Sequence, residues 1–466
     1  MIPCTFENFD ITIQGNHRPF LTTVTYRGQS AEGKFDQEST LAEWQDFDAQ
    51  ADTGKSGPLN IAQQGSQLFR ALIHADLRDL WVTAQSELDR DQVAGLRVRL
   101  NLRPPTVAAL PWEILRDPDR RRTLAANKRI LLVRMETLHR YVGPSRPLTA
   151  TLPLKLLLAL PTDPTGQIDG AAEEVALRAG LNKVAQGRIT LIPLPGKFNV
   201  LELGQALERE RPDILHIVTH GQPDGLLLWQ DGEPTFVSPD SLRTALEWTD
   251  SVKLVVLNAC QTARDAAPTP MNSLGAHLLQ SGLPAVIGMQ YAIKDQAAMR
   301  FSQLLYTSLM DGPCAGRVDA AVAQARSGLF ALNNGDTSFG TPVLWLNSQD
   351  GVIFNLPSVN PPPSIPNPVP PPPPAPEMEI TSIRIWIDSF LQRSPDNFTG
   401  DLKLLAIQQH QALKDLWNNL TQLQGLYARR QHGDPVSVAI RRLEENIMDQ
   451  QDTVQRLESL IQTHIG

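Results

Sequence analysis

Two apolar runs, DILHIVTHG at 213–221 and VKLVVLNAC at 252–260, have the length of a strand, and each ends on a side chain that can react. Ile214, Leu215, Ile217 and Val218 in the first, and Leu254, Val255, Val256 and Leu257 in the second, leave no polar face. That pattern suits strands covered on both sides of a parallel sheet. LPLKLLLALP (152–161) also reads as a buried strand, and RITLIPLP (188–195), PAVIGM (284–289) and VLWL (343–346) read as further strands. The segments between them carry helical spacing, at 170–185, 200–210, 238–248, 271–281, 294–311 and 316–331. Ser238 is the expected N-cap of its helix and Pro239 the first helical residue. Strands alternating with helices predict an α/β sandwich built on a parallel sheet with right-handed crossovers.

The flanks read differently. In residues 1–150, FDITIQ, PFLTTVTYR, GLRVRLNLR and RILLVRM predict strands, and GPLNIAQQGSQLFRALIHADLRDLWVTAQSEL predicts one or two helices, so an α+β region precedes the sandwich. GKSG at 54–57 lacks the earlier glycine and the leading strand of a phosphate loop and reads as a turn. Beyond the sandwich, taken as 151–355, the composition changes. Eleven of the sixteen residues from Pro361 to Pro376 are proline, which predicts an extended spacer over 356–376. Residues 377–466 show apolar seams at steps of 3 and 4, from Leu402 to Tyr427 and from Ile440 to Ile461. Asp434 and Pro435 mark a helix start between them. A coiled-coil-like helical bundle is expected, either self-contained or serving as an adaptor for a protein partner.

A chain of 466 residues exceeds a single core. A net charge of −8 disfavours nucleic acid as the main partner. No apolar run is long enough to span a bilayer, and the N-terminus has no basic-then-apolar signal, so the cytoplasm is the expected location. Cys4, Cys260 and Cys314 show no zinc-binding spacing, and no cofactor motif is present; no metal or organic cofactor is expected. Cys4 and Cys314 read as incidental residues, outside any disulfide framework.

The chemistry then rests on His220 and Cys260. Open α/β sheets gather reactive groups at the carboxyl ends of their strands, so a thiol and an imidazole 40 residues apart can meet there. An imidazole can take the thiol proton and create the nucleophile. Gly221 allows a sharp turn, and its N–H, with that of Cys260, could hold an oxyanion. Taken singly, His220 is an ordinary loop histidine and Cys260 a small core residue. His216, four residues earlier, is a rival base, but alternation puts it in the strand interior in a supporting role. His277 reads as a surface or packing residue.

HIVTHG followed by LNACQTA resembles the His-Gly and Ala-Cys signatures of CHAT domains, which belong with separases, gingipains and metacaspases among the caspase-like (clan CD) cysteine peptidases. PWEIL (111–115), DGAAEEVALRAGL (169–181), GLPAVIGMQYAIKDQAAMRFSQLLYTSLMDG (282–312) and VDAAVAQAR (318–326) also resemble segments of that family, in the same order. The resemblance implies a caspase-like fold over 151–355 and cysteine endopeptidase activity on a protein substrate through a His220–Cys260 dyad. It further implies a place in bacterial defence or programmed death and regulation through the helical C-terminal region. Basic-specific relatives carry aspartate two residues before the cysteine. Asn258 stands there in this chain, which leaves Arg or Lys preference open, with Asp224 and Asp265 as alternative substrate contacts. A signalling scaffold that keeps the fold with a silent or gated dyad is the alternative.

Overall fold

In the computed structural model the runs Ile214–Val218 (β10) and Leu254–Asn258 (β14) are neighbouring parallel strands of an 11-stranded sheet, with β10 third from one edge. The structure describes residues 4–36, 50–51, 57–90, 95–135, 148–184, 187–222, 225–259, 274–293, 295–333, 335–356, 400–431, 453 and 457. Two compact units divide after Ser358.

The strands of the first unit are β1 (Phe6–Gln14), β2 (Phe20–Tyr26), β3 (Gln29–Phe35), β4 (Gly95–Leu102), the short β5 (Arg116–Asp117) and β6 (Arg122–Thr123), and β7 (Ile130–Arg134). They continue with β8 (Leu154–Pro161), β9 (Ile189–Gly196), β10, β11 (Gly221–Gln222), β12 (Gly225–Gln230), β13 (Glu233–Val237), β14, β15 (Ala285–Met289) and β16 (Pro342–Leu346). The large sheet has the order β3-β2-β1-β4-β7-β16-β15-β14-β10-β8-β9. Its helices are α1 (Pro58–Leu72), α2 (Ala75–Arg90), α3 (Pro105–Ala108), α4 (Gly170–Val184), α5 (Val200–Glu210), α6 (Pro239–Leu246), α7 (Leu274–Leu279), α8 (Asp295–Met310) and α9 (Val318–Leu332).

The two-sided apolar pattern of β10 finds a partner on each face. Ile214 and Val218 join the core formed with Leu177 and Leu181 of α4, Phe301 and Leu305 of α8 and Val322 of α9. Leu215 and Ile217 point the other way, into the core formed with Leu203 and Leu207 of α5, Leu242 of α6 and Leu278 of α7. Burial of successive residues in opposite layers locks the register of β10, because a slip by one residue would exchange the two sets. Helix α5 begins with a capping box: Glu202 N–H donates to Asn199 Oδ1 at 2.9 Å, and Asn199 N–H donates to Glu202 Oε2 at 2.8 Å. Ser238 caps α6, accepting from Ser241 N–H at 3.3 Å, with Pro239 at the first position as expected.

The sheet is mixed. Strands β9, β8, β10, β14 and β15 are mutually parallel, whereas β16 runs antiparallel to β15 and β2 runs antiparallel to β1 and β3. Two helices, α8 and α9, separate β15 from β16. The pair returns the chain to the sheet edge it left, so β16 enters from that edge instead of crossing over. The four N-terminal strands read from sequence extend this same sheet as β1, β2, β4 and β7, and the compact unit runs from Met1 to Ser358.

One expectation is corrected. Cys4 and Cys314 form a disulfide across 310 residues, with Cα atoms 5.4 Å apart, well inside the bridging range. It ties the segment before β1 to the loop between α8 and α9. Nothing in the local sequence around either cysteine announces the pair; only the folded chain brings the two segments together. Next to it, Asp319 at the start of α9 takes the guanidinium of Arg97 from β4 at 2.6 Å, and both side chains are buried. Gly351 closes over this pair with φ +80°, and a Cβ there would lie 2.1 Å from Asp319 Oδ2, so the position admits only glycine.

In the second unit, Gly400–Gln431 forms one helix, α10, with Ala406, Gln409, Leu413, Leu416 and Leu423 buried along one seam. GKSG up to Ser56, the proline-rich spacer and the expected helix start at Asp434 lie outside the described residues.

Candidate active site

His220 follows β10 by two residues, and its backbone is fixed from two sides. Thr219 N–H donates to Asn258 O at 3.4 Å, extending the ladder to β14, and Thr219 Oγ1 donates to Leu227 O at 2.8 Å. Leu227 N–H donates to His220 O at 2.9 Å, which starts the hairpin of β11 and β12. In an antiparallel ladder bonded and non-bonded pairs alternate. His220 with Leu227 is a bonded pair, so Gly221 opposite Leu226 is a non-bonded one. The Gly221 N–H therefore points away from β12.

The imidazole is partly exposed, and its Nε2 is held by the loop that follows β8. Nε2 lies 2.9 Å from Asp163 Oδ1 and 3.1 Å from Thr165 Oγ1. Nδ1 has no hydrogen-bond partner among the described residues. The Asp163 side chain is 4% exposed, and this loop wraps it. Backbone N–H groups of Thr165, Gln167 and Ile168 donate to it at 2.8, 2.6 and 2.8 Å. The Thr165 hydroxyl reaches both of its oxygens. Burial by itself would raise the Asp163 carboxyl, but the N–H donors of Thr165, Ile168 and Gln167 and the Thr165 hydroxyl outweigh it, and the group is held far below the usual carboxylate range. It is a permanent anion beside the ring. Trp229 of β12 donates its indole N–H to Thr162 O at 2.8 Å and anchors the start of the loop.

Across the sheet, Val218 of β10 pairs directly with Asn258 of β14. Asn258 is buried, at 8% exposure. Cys260 is two residues beyond it in the sequence and, with Asp224 and Asp265, lies outside the described residues. His216 is fully buried, on the face of β10 that meets α8. Its Nδ1 is 2.9 Å from the Tyr306 hydroxyl, and its Nε2 has no partner among the described residues. Burial pushes its pKa down to about 3, so the ring is neutral and sealed in the core. His277 Nε2 is 3.1 Å from Asp240 Oδ1 on α6, a part-exposed contact in the helical layer. Among the described residues no group of His, Cys, Asp and Glu could hold a metal ion, and no helix is long and apolar enough to cross a membrane.

Asp163 and Thr165 escaped the reading of the sequence. Their signal was a turn, TDPTG, at the end of the buried strand LPLKLLLALP, in the same strand-end position that drew attention to His220.

The sequence model of the CHAT domain matches residues 62–353. The chain belongs to the CHAT domain family. The matched region of this CHAT-domain protein starts in α1 and takes in β4 and β7 as well as the strands that lead to His220 and Cys260. No curated protein matches the chain in sequence. Solved structures with partial likeness include the complex of Porphyromonas gingivalis RgpB pro- and mature domains, 13% identical over 68% of this chain and 78% of that one, with a TM-score of 0.41. The separase of the Saccharomyces cerevisiae separase–securin complex is 13% identical over 72% of this chain and 30% of its own, with a TM-score of 0.40. A secreted C11 cysteine protease from Bacteroides thetaiotaomicron is 12% identical over 38% of this chain and 59% of its own, with a TM-score of 0.28.

Proposed function

We propose that this CHAT-domain protein is a cysteine endopeptidase whose base is His220 and whose nucleophile is Cys260. The observation that carries this reading is the pairing of Val218 with Asn258 on adjacent parallel strands. His220 and Cys260 each stand two residues past that pair, at the carboxyl end where such sheets do their chemistry. The ring Nε2 is already engaged by Asp163, and Nδ1 is the nitrogen left for the thiol.

In the proposed reaction His220 Nδ1 takes the Cys260 proton, and the thiolate attacks the carbonyl carbon of a peptide bond. The oxygen gains negative charge, which the outward N–H of Gly221 supports, with that of Cys260 as the second donor. Collapse breaks the C–N bond, and the imidazolium returns its proton to the departing amine. Water then attacks the thioester with His220 again as base, releasing the carboxylate product and the thiol. Asp163 keeps the ring oriented and stabilises the imidazolium in both halves of the cycle. Asn258, Asp224 and Asp265 are the proposed contacts for the substrate side chain. The substrate is proposed to be a protein in a bacterial defence or programmed-death pathway, with the helical C-terminal region as the site of the regulating partner.

The test is covalent labelling. A peptide carrying an electrophilic acyloxymethyl ketone is expected to add its mass to Cys260 of the wild type and to leave Cys260→Ala unlabelled. Comparison of new protein N-termini produced by the two forms identifies the substrate. No labelling of Cys260 with any candidate partner added would assign the fold a scaffold role.

A further inference from the structure

Asp163 fixes the charge beside His220, but a second group touches the same nitrogen. The Thr165 hydroxyl lies 3.1 Å from His220 Nε2 and 2.9 and 2.8 Å from the two oxygens of Asp163. A hydroxyl has one proton to give and lone pairs to receive with. Its single proton can satisfy only one of those three neighbours.

The charge on Asp163 decides which. A carboxylate that is anionic at every working pH takes the hydroxyl proton, since a charge-assisted bond is stronger than one to a neutral nitrogen. The Thr165 oxygen then presents its lone pairs to Nε2. The Nε2–H of His220 is thus forked between Asp163 Oδ1 and Thr165 Oγ1. In the opposite tautomer an Nε2 lone pair would face an anionic oxygen at 2.9 Å, and Thr165 would have to withdraw its proton from the carboxylate to relieve it.

We infer that Thr165 is a positioning residue of the proposed peptidase, a second acceptor that holds His220 in the Nε2–H tautomer and leaves the Nδ1 lone pair to meet the thiol. The inference rests on the dyad reading above but concerns a different atom. The local sequence supports the geometry. In TDPTG, Pro164 fixes the turn, and Gly166 takes φ +69°. The aspartate side chain thereby caps its own loop, in the manner of an Asx turn, and threonine returns to the carboxylate two residues on. Threonine's branched Cβ also restricts χ1, so the hydroxyl is held in place where serine's would rotate more freely.

The decisive comparison is Thr165→Val, which keeps the shape and removes the hydroxyl, against Thr165→Ser, which keeps the hydroxyl. With the full chain and a peptide substrate, Thr165→Val is expected to lower kcat about tenfold at unchanged KM, the scale of one bond to a charged group at a part-exposed site. Thr165→Ser is expected to stay within about threefold of wild type, the cost of its freer rotamer. The independent readout is ring 15N NMR of histidine-labelled protein, with the His220 signals assigned by His220→Gln. Wild type should show a protonated Nε2 and an unprotonated Nδ1 for the neutral ring. Thr165→Val should show the two nitrogen shifts moving toward each other as the second tautomer becomes populated.

If Thr165→Val turns over like wild type with the nitrogen shifts unmoved, the inference is wrong. It is equally wrong if Thr165→Ser loses as much as Thr165→Val, because then the hydroxyl is not the cause. If wild type shows no turnover, the peptidase reading fails, and the nitrogen shifts alone still decide the role of Thr165.

Discussion

The buried His216–Tyr306 pair should make the first unit acid-labile in a way that can be worked out in advance. His216 lies between Leu158 and Val256 on the strand ladders, and the Tyr306 hydroxyl 2.9 Å from Nδ1 is its one side-chain hydrogen-bond partner among the described residues. Burial pushes its pKa from the ordinary 6.5 down to about 3. A base with a depressed folded-state value favours the unfolded chain once that chain can bind the proton. The stability it contributes is therefore complete above pH 6.5 and is lost progressively as the pH falls toward 3. Between pH 7 and pH 5 the loss from this one group is about 2 kcal/mol, following from 1.36 kcal/mol per unit of difference. Urea unfolding followed by tryptophan fluorescence at the two pH values would measure it. The control is the double variant His216→Leu/Tyr306→Phe, which removes the titrating ring without leaving a buried hydroxyl unpaired. Wild type should lose about 2 kcal/mol more than the double variant over that interval. Equal losses for the two proteins would refute the reasoning, because every other histidine is common to both.

Three further predictions concern the frame around the site. With the Cys4–Cys314 bridge intact, mass spectrometry after iodoacetamide treatment of the denatured, unreduced chain should show one alkylated cysteine out of three, and reduction should expose all three. Cys4→Ser should lower stability by about 2–4 kcal/mol, read as a fall in Tm that reductant does not deepen; an unchanged Tm would show that the bridge does not constrain the chain. Glu113, from the PWEIL segment, is 1% exposed and accepts from Nε and Nη2 of Arg134, at 3.0 and 2.6 Å, and from Gln290 Nε2 at 3.0 Å. Glu113→Ala leaves Arg134 charged and buried and should cost about 3–5 kcal/mol in urea unfolding, whereas a loss below about 1 kcal/mol would show that water reaches the pair.

The order of elements was legible because each rests on local pattern. The apolar runs became β8, β10, β14 and β15, and Ser238–Pro239 started a helix where a cap and a fixed φ favour one. The direction of β16 was not legible, since VLWL reads identically in either orientation and the choice lies in the two helices before it. The disulfide was hidden for a related reason: residues 4 and 314 have no common local pattern, and their proximity follows from how the N-terminal strands extend the sheet. The hairpin of β12 and β13 also went unremarked, although LLLWQDGEPTF carries an Asp-Gly turn between strand-forming residues, the strongest short hairpin signal.

The site shows the same divide. His220 and Gly221 could be singled out because a reactive side chain ending an apolar run is a one-dimensional signal. Asp163 ends such a run too, after Pro161 and Thr162, but aspartate in a turn has so common a structural role that the residue alone says nothing. What gives it meaning is the order β14-β10-β8. Strand β10 has β14, the strand that precedes Cys260 in the sequence, on one side and β8 on the other, and the loop that ends β8 brings Asp163 to Nε2 of the ring. The acid that orients a strand-end histidine in such a sheet should therefore be sought at the carboxyl end of the strand on the histidine's far side, which the chain here supplied 57 residues earlier. That rule needs strand adjacency, which the path from β8 through α4, β9 and α5 back to β10 determines and which no window of sequence displays.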